Sequence, residues 1–309
     1  MTGILLVNMG SPLSKKQMRQ FLFNMFSDKA ILPFPKLQRT ALAYIISTFR
    51  YRGSWNKYEQ IGGSKLMESM GLISKELSTE LGADFLVLSA YSYSLPSIQT
   101  MIEAFRNKGI KDIKIITMYP HSSFSTTESV KTDVDNVLKK YPELNVNTLG
   151  TYGENKHFIS YWVTLIQETI QKNNYKNPTL LFSAHAIPTY QVENGDTYVD
   201  EINASAKLIS AELGLPYKVS FQSKIGKVKW VEPDTKDCLK GMAAENCDEI
   251  ILVPISFVNE NLETAYDQGI EIIPYGKNEL HIKNICRATI PYSHPLLIAT
   301  FKQLLTESK

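Results

Sequence analysis

The sequence predicts an α/β fold with parallel sheets, because short buried strands alternate with amphipathic helices. Apolar, β-branched runs bounded by Gly, Pro, Ser or Asn are typical of strands buried on both faces of a sheet. Strands of this kind are predicted at 3–7, 85–91, 113–118, 146–151, 179–184, 217–221 and 249–257. Strand–helix–strand alternation requires right-handed crossovers, so the strands are expected to pair in parallel.

Helical periodicity occurs between these strands. In the segment 97–108, apolar residues recur every three or four positions, and Gly109 follows at the place where a helix commonly ends. The same period predicts further helices at 157–172, 199–213, 235–245 and 293–307.

The length indicates two domains, since 309 residues exceed the size at which single cores stop growing, about 250–300 residues. The stretch 141–152 is rich in turn residues, and similar numbers of strands lie on either side of it. We therefore predict an N-terminal half, 1–150, and a C-terminal half, 151–292. The last helix, 293–307, is expected to pack back on the N-terminal half.

Composition excludes several functional classes. With 33 Lys+Arg against 31 Asp+Glu, the net charge of +2 supplies no broad surface for nucleic acid. The longest apolar stretches fall short of the roughly 20 residues that a membrane span needs, and the opening residues are typical of a strand and not of a signal peptide. Three widely spaced cysteines argue against a disulfide framework or a Cys-rich zinc site. The expectation is a cytoplasmic protein.

One region departs from the α/β pattern. Residues 36–58 mix apolar side chains with five basic ones and contain no acidic residue. One interpretation is an amphipathic core helix followed by a loop. The other is a basic, aromatic lip that meets a membrane surface or an apolar ligand, so the protein is expected to be cytoplasmic with possible membrane association.

Functional residues are expected just after the strands, because open α/β sheets bind ligands at the carboxyl ends of their strands. The glycine-rich nucleotide motifs, G-x-S-x-G and H-E-x-x-H are all absent from the sequence. His185 ends an apolar strand and precedes Pro188. On spacing alone, this histidine is either a structural residue with satisfied hydrogen bonds or an acid–base and metal-handling group.

A second strand end carries carboxylates. If a helix follows the strand 249–257, Glu260, Glu263 and Asp267 lie on one face of it. Aligned carboxylates repel one another in an apolar cleft, so they are either solvated, bound to a cation or used to pass protons.

These two strand ends belong to a series of longer sequence motifs. They are LLVNMGSP at 5–12, FLFNMFSDKAILPFP at 21–35, YEQIGG at 58–63, YPHSSFSTTES at 119–129, SAHAIP at 183–188, FQSKIGKVKWVEPDT at 221–235 and FVNENLETAYDQGIE at 257–271. In these blocks, and in their order and spacing, the sequence resembles the ferrochelatases, the enzymes that insert Fe²⁺ into a porphyrin in haem synthesis. The resemblance covers most of the chain and implies two Rossmann-like halves, each a parallel sheet flanked by helices, around a porphyrin cleft.

The resemblance also implies roles for individual residues. His185 would be the active-site histidine, and Glu263 the active-site glutamate opposite it; both are expected to be catalytic and to bind the metal. Glu260, Asp267 and Glu271 would form a proton relay or metal path leading away from Glu263. Which group binds metal and which accepts protons stays open. The residues expected to bind the porphyrin are Met9, Tyr93, Tyr119 and Trp230.

The expected activity is insertion of Fe²⁺ into protoporphyrin IX to form protohaem, with release of two protons. The alternatives are a coproporphyrin III ferrochelatase and a non-catalytic porphyrin- or haem-binding homologue. Fe²⁺ is a substrate here, and no tightly bound cofactor is expected. Phe124 stands where animal enzymes place an iron–sulfur ligand, so no such cluster is predicted. The sequence also lacks the family's usual basic residues before IGG, where Glu59 and Gln60 stand, which leaves the propionate contacts open.

Overall fold

The chain divides into two compact units. The computed structural model describes residues 1–224, 226 and 228–307. The first unit comprises Met1–Thr151 together with the chain from Tyr292 onwards, and the second comprises Tyr152–Pro291. Each unit contains one four-stranded sheet whose strands all pair in parallel. The predicted α/β class with parallel sheets is therefore confirmed.

The first unit is built around a sheet with the strand order β2-β1-β3-β4. Its central strand β1 has four consecutive residues, 4–7, with no exposed surface, as expected for a strand covered on both faces. The elements in chain order are β1 (Thr2–Asn8), α1 (Lys15–Phe26), α2 (Lys36–Gln60), α3 (Leu66–Leu81), β2 (Phe85–Tyr91), α4 (Ile98–Asn107), β3 (Asp112–Thr117), α5 (Thr127–Leu138) and β4 (Asn145–Thr148).

The second unit repeats this plan with the strand order β6-β5-β7-β8. Its elements are α6 (Lys156–Asn173), β5 (Thr179–His185), α7 (Thr189–Glu193), α8 (Tyr198–Leu213), β6 (Tyr217–Gln222), α9 (Thr235–Ala244), β7 (Glu249–Val253), the π-helices π1 (Glu263–Ile272) and π2 (Tyr275–Glu279), and β8 (Asn284–Arg287). As in the first unit, the carboxyl ends of the parallel strands lie at one edge of the sheet, which is where this fold class places ligands.

The last helix, α10 (Pro295–Glu307), belongs to the first unit. It packs against α3, where Lys302 Nζ lies 2.7 Å from Glu80 Oε2. Its buried side chains are Leu297, Ile298, Thr300, Phe301 and Leu305. Burial of each large apolar side chain contributes about 1.5–3 kcal/mol to the stability of the unit.

Among the strands, the structure differs most from the sequence-based prediction at β7 and β8. Strand β7 ends at Val253, because Pro254 lacks the N–H that a further ladder bond would need. The short strand β8 was missed because its four residues, Asn-Ile-Cys-Arg, have a single buried member and no apolar run.

The structure of residues 36–58 differs from the first interpretation, a core helix followed by a loop. Helix α2 is one continuous helix of 25 residues, and only Ala43, Ser47 and Tyr58 are buried. Leu37 and Phe49 are 85% and 81% exposed. These two large apolar residues therefore do not serve the core. No helix in the described part of the chain is both long enough and apolar enough to cross a membrane.

A glycine on β1 offers a test of core packing. A Cβ atom added at Gly3 would lie 2.9 Å from the ring of Phe105 on α4, closer than Cβ atoms normally approach. We expect Gly3→Ala to destabilise the fold by about 1–3 kcal/mol because the ring must shift within a close-packed core. Urea unfolding followed by circular dichroism measures this change.

The matched control is Gly53→Ala in α2. A Cβ added at Gly53 would meet nothing within 4 Å, and alanine favours an exposed helix by about 1 kcal/mol relative to glycine. We expect this variant to be as stable as the parent or more so. Equal midpoints for the two variants would contradict the assigned packing of Gly3 on Phe105.

Candidate active site

His185 is the last residue of β5, the strand paired with both β6 and β7. Its backbone N–H donates to Ser256 Oγ over 3.3 Å, and its side chain is 38% exposed. The ring is thus held at the carboxyl edge of the sheet with one side open. His121, after β3 of the first unit, is different: it is 1% exposed, and burial lowers its pKa to about 3, so it is neutral.

Glu263 contacts His185 directly. Its Oε2 atom lies 2.7 Å from Nδ1 of the imidazole, and its side chain is 22% exposed. Glu263 is the first residue of π1, and the two side chains come from positions 78 residues apart in sequence. The structure therefore brings together the two residues that the sequence singled out at separate strand ends.

The pair shifts the pKa of both groups. Burial acts to lower the pKa of His185, but the charge and hydrogen bond of Glu263 outweigh it, so the pKa is raised. Burial acts to raise the pKa of Glu263, but the charge and hydrogen bond of His185 outweigh it and the pKa is lowered. Each group favours the charged form of the other, so imidazolium and carboxylate form a hydrogen-bonded ion pair.

Two residues at the end of β6 support Glu263. Ser223 has φ of 65°, a left-handed conformation that is uncommon for a side chain other than glycine, and its hydroxyl donates to Asp267 Oδ2 over 3.0 Å. Ser223 and Gln222 also contribute to lowering the pKa of Glu263. Gln222 is buried, and its Oε1 accepts from Gln268 Nε2 over 2.9 Å. The end of β6 is thus tied to the first turns of π1.

The carboxylate row begins at Glu263 and not at Glu260. The helix that follows β7 is a π-helix starting at Glu263, and Glu260 lies before it, so the shared face predicted for an α-helix was wrong. Glu263, Asp267 and Glu271 recur every fourth residue of π1, close to one turn of a helix closed by i→i+5 bonds. Glu260 instead pairs with Arg287 of β8, with Glu260 Oε1 and Arg287 Nη2 2.9 Å apart.

Trp230 lies next to the chain that follows His185. It forms an isolated antiparallel bridge with Pro188. Two backbone hydrogen bonds flank this bridge, from Thr189 N to Lys229 O at 2.9 Å and from Val231 N to Ile187 O at 3.0 Å. Trp230 is half-buried, so part of its indole remains accessible.

Three other predicted porphyrin-binding residues lie at strand ends of the first unit. Met9 follows β1, and its carbonyl accepts the N–H of Tyr93 over 3.0 Å. Tyr93 is buried, and its hydroxyl donates to Asp28 Oδ2 over 2.8 Å. Tyr119 follows β3 and is half-buried. Burial and the charge of Asp28 raise the pKa of both tyrosines, so both hydroxyls stay protonated.

Sequence reasoning missed two residues around His185. Ser256 accepts the His185 N–H. Tyr198, the first residue of α8, is buried close by, and both Ser256 and the His185 backbone act to lower the pKa of its hydroxyl, against the larger effect of burial. Tyr198 lies at the boundary of a predicted helix and Ser256 within a predicted strand, so neither position carried a signal. Within the described residues, no group of three or more His, Cys, Asp or Glu is arranged to hold a metal ion.

Comparisons with known proteins show the family. A family model described as Ferrochelatase matches residues 1–309. Curated ferrochelatases include one from Rippkaea orientalis, 33% identical over 319 residues that cover 99% of this chain and 82% of the relative. Another, from Geotalea daltonii, is 32% identical over 313 residues that cover 100% of this chain and 98% of the relative.

Solved structures agree with the fold. The sirohydrochlorin chelatase SirB from Bacillus subtilis subspecies spizizenii, in complex with cobalt, matches with a TM-score of 0.61 at 11% identity, covering 99% of this chain and 94% of that one. CbiX, described as the terminal enzyme of siroheme biosynthesis in denitrifying bacteria, matches with a TM-score of 0.57 at 9% identity. The match covers 100% of this chain and 99% of that one. At such low identity these matches show a common chelatase fold.

The His185–Glu263 pair predicts a change in titration. In Glu263→Gln the charge that does most to raise the pKa of His185 is lost, whereas the burial that lowers it and the smaller effect of Asp267 that raises it remain. We expect the pKa of His185 to fall below its ordinary value of about 6.5, measured by NMR titration of the imidazole signals. Glu271→Gln, on the same π-helix, is the control and should leave the titration unchanged. An unaltered pKa in Glu263→Gln would contradict the ion pair.

Proposed function

The chain belongs to the ferrochelatase family, whose metal chelatases insert iron into a porphyrin in haem synthesis, and we propose that its substrate is protoporphyrin IX. The reaction would give protohaem and two protons. The observation that carries the proposal is the 2.7 Å contact between His185 and Glu263 at the carboxyl edge of the second sheet. It supplies an imidazole and a carboxylate within reach of one substrate.

The geometry favours different tasks for the two ring nitrogens of His185. Nδ1 is occupied by Glu263, so Nε2 is the nitrogen that can meet a pyrrole N–H or the iron. Imidazole and carboxylate together suit Fe²⁺ as a temporary set of ligands while the ion loses its water. We propose that His185 and Glu263 both contact the reacting centre.

Protons must leave the site for the reaction to proceed. Because Glu263 raises the pKa of His185 and so favours its protonated form, the imidazole must give up a proton before it can accept one from a pyrrole. Asp267 is the proposed group to receive it, since its charge also acts to raise the pKa of His185 and its Oδ2 accepts from Ser223 at the end of β6. Glu271 continues the row by one more turn of π1. We propose this outward direction for the proton relay. Glu260, paired with Arg287, stands outside it.

We propose that the residues predicted from the sequence to bind the porphyrin take part in its binding. Trp230, next to the chain that follows His185, is the candidate in the second unit because part of its side chain is exposed. Met9, Tyr93 and Tyr119 are the corresponding candidates at the strand ends of the first unit. Tyr93 has little exposed surface, so its contribution would be to hold Met9 through the backbone hydrogen bond. Protoporphyrin is favoured over coproporphyrin by the NMGSP and FLFNMFSD blocks.

A peripheral membrane contact is proposed for helix α2. Leu37, Tyr44, Ile45 and Phe49 recur at helical spacing and are 85%, 57%, 51% and 81% exposed. The same helix carries basic residues and no acidic residue before Glu59. An apolar stripe with basic neighbours is typical of helices that lie in the interface of an anionic bilayer. Such a contact would suit a poorly soluble porphyrin substrate.

Metal insertion is the direct test of the proposed function. Purified protein receives Fe²⁺ or Zn²⁺ anaerobically with protoporphyrin IX or coproporphyrin III, and the Soret band is followed. We expect turnover with protoporphyrin IX, and a fall of about 10²–10⁴-fold in kcat for His185→Ala and Glu263→Gln, since both remove a proton-transfer group.

The control for this assay is His157→Ala, a histidine of the same unit near the start of α6. It should retain activity. Faster turnover of coproporphyrin III would overturn the choice of porphyrin. Tight porphyrin binding without turnover by the unmodified protein would establish a carrier instead.

Membrane contact is tested by flotation with vesicles. Each basic residue near an anionic surface contributes about 1 kcal/mol, so Arg50→Gln with Arg52→Gln should weaken binding to phosphatidylserine vesicles about 30-fold. Added salt should weaken binding as well. The control, Lys172→Gln with Lys207→Gln, removes two exposed charges of the second unit. No binding by the unmodified protein, or equal effects of the two pairs, would refute the contact.

A further inference from the structure

A half-buried ion pair joins strand β8 to the chain just before π1. Arg287, the last residue of β8, forms a bidentate contact with Glu260. Its Nη1 and Nη2 atoms lie 3.2 and 3.1 Å from Oε2, and Nη2 lies 2.9 Å from Oε1. The two side chains are 16% and 15% exposed. A two-pronged contact of this kind fixes orientation as well as distance, which a lysine cannot reproduce.

Glu260 is connected in turn to the first residues of π1. Its Oε1 accepts from the Thr264 hydroxyl over 2.9 Å. The Thr264 hydroxyl also accepts the N–H of Asn261 over 2.9 Å, and Asn261 Oδ1 accepts the N–H groups of Glu263 and Thr264 over 2.9 and 3.1 Å. The Asn261 side chain therefore caps the start of the helix. Glu260, which precedes the helix, stabilises this cap by accepting the hydrogen bond from Thr264.

The active pair needs such a connection, because its two members lie on different elements. His185 ends a strand of the second sheet, whereas Glu263 begins a helix. Arg287 lies on the same sheet as His185, since β5 pairs with β7 and β7 with β8, where Leu252 faces Arg287. The contact from Arg287 to Glu260 thus fixes the position of the start of π1 relative to the sheet that carries His185.

We propose that Arg287 is a positioning residue for iron insertion: through Glu260 and the Asn261 cap, it holds Glu263 against His185. The proposal rests on the proposed function and deepens it. Arg287 touches neither member of the pair in this arrangement and acts through the helix start. Glu260 is accordingly part of the support of the site and not a member of the carboxylate row.

The test is a kinetic comparison of Arg287→Lys with the unmodified protein. Lysine keeps a positive charge next to the Glu260 carboxylate but cannot form the bidentate contact that the guanidinium group makes. We expect kcat for metal insertion to fall about 10-fold, with KM for porphyrin within 2-fold, because alignment of the reacting groups and not binding is lost. In a Glu263→Gln background the same substitution should cause no further loss, since Arg287 acts through Glu263.

A second variant guards against misfolding. Removing one partner of a buried ion pair is strongly destabilising, so Glu260→Gln is combined with Arg287→Gln to leave no unpaired charge. This variant should bind porphyrin, measured by quenching of porphyrin fluorescence, while its kcat falls as in Arg287→Lys. Lys218→Gln, which breaks the exposed Lys218–Glu245 pair of the same unit, is the control and should leave kcat unchanged.

The outcomes separate the two proposals. An unmodified protein that inserts no metal would refute the proposed function, whereas NMR shifts of the His185 ring in Arg287→Lys would still report on positioning. Unchanged kcat in Arg287→Lys, a rise in KM alone, or full additivity with Glu263→Gln would each overturn the role of Arg287. A lower unfolding midpoint without loss of kcat would reduce it to a structural ion pair.

Discussion

The second unit depends on a hydrogen-bonded ion pair that two different elements must bring together. A histidine at a strand end and a glutamate at a helix start meet at 2.7 Å, and each holds the other in its charged form against the effect of burial. Both side chains are only partly exposed, so each charge is stabilised by its partner and not by water alone, and pairing also fixes their relative position. Several polar contacts around π1 help to fix the distance between His185 and Glu263.

These contacts approach the π-helix from both sides. The end of β6 supplies Ser223 to Asp267 and Gln222 to Gln268. The end of β8 supplies Arg287 to Glu260, ahead of the helix. A helix closed by i→i+5 bonds is rare and often found at functional sites, and here each flank of its first turns is tied to the sheet. The sheet therefore acts as the rigid reference for the reacting groups.

The sequence predicted much of the fold but less of the site. Continuous apolar runs identified the strands, and their ends located His185 and Glu263. The local pattern did not indicate the π-helix, because the spacing of Glu260, Glu263 and Asp267 fits an ordinary α-helix equally well. Arg287 lies on a four-residue strand without an apolar run, so its pairing with Glu260 depends on tertiary contacts alone. The composition of α2 left two interpretations open, a core helix followed by a loop or a basic, aromatic lip, and only the exposure of Leu37 and Phe49 favours the second.

The position of α10 has a consequence for synthesis of the chain. The first unit is discontinuous: its sheet strands precede residue 152, but the helix that covers α3 follows residue 291. The second unit is continuous in sequence and can fold on the ribosome as soon as its own residues have emerged. The first unit must wait, with the α3 surface uncovered, until α10 is translated. During that interval the nascent chain exposes apolar surface on its N-terminal part, which is where a chaperone would be expected to bind.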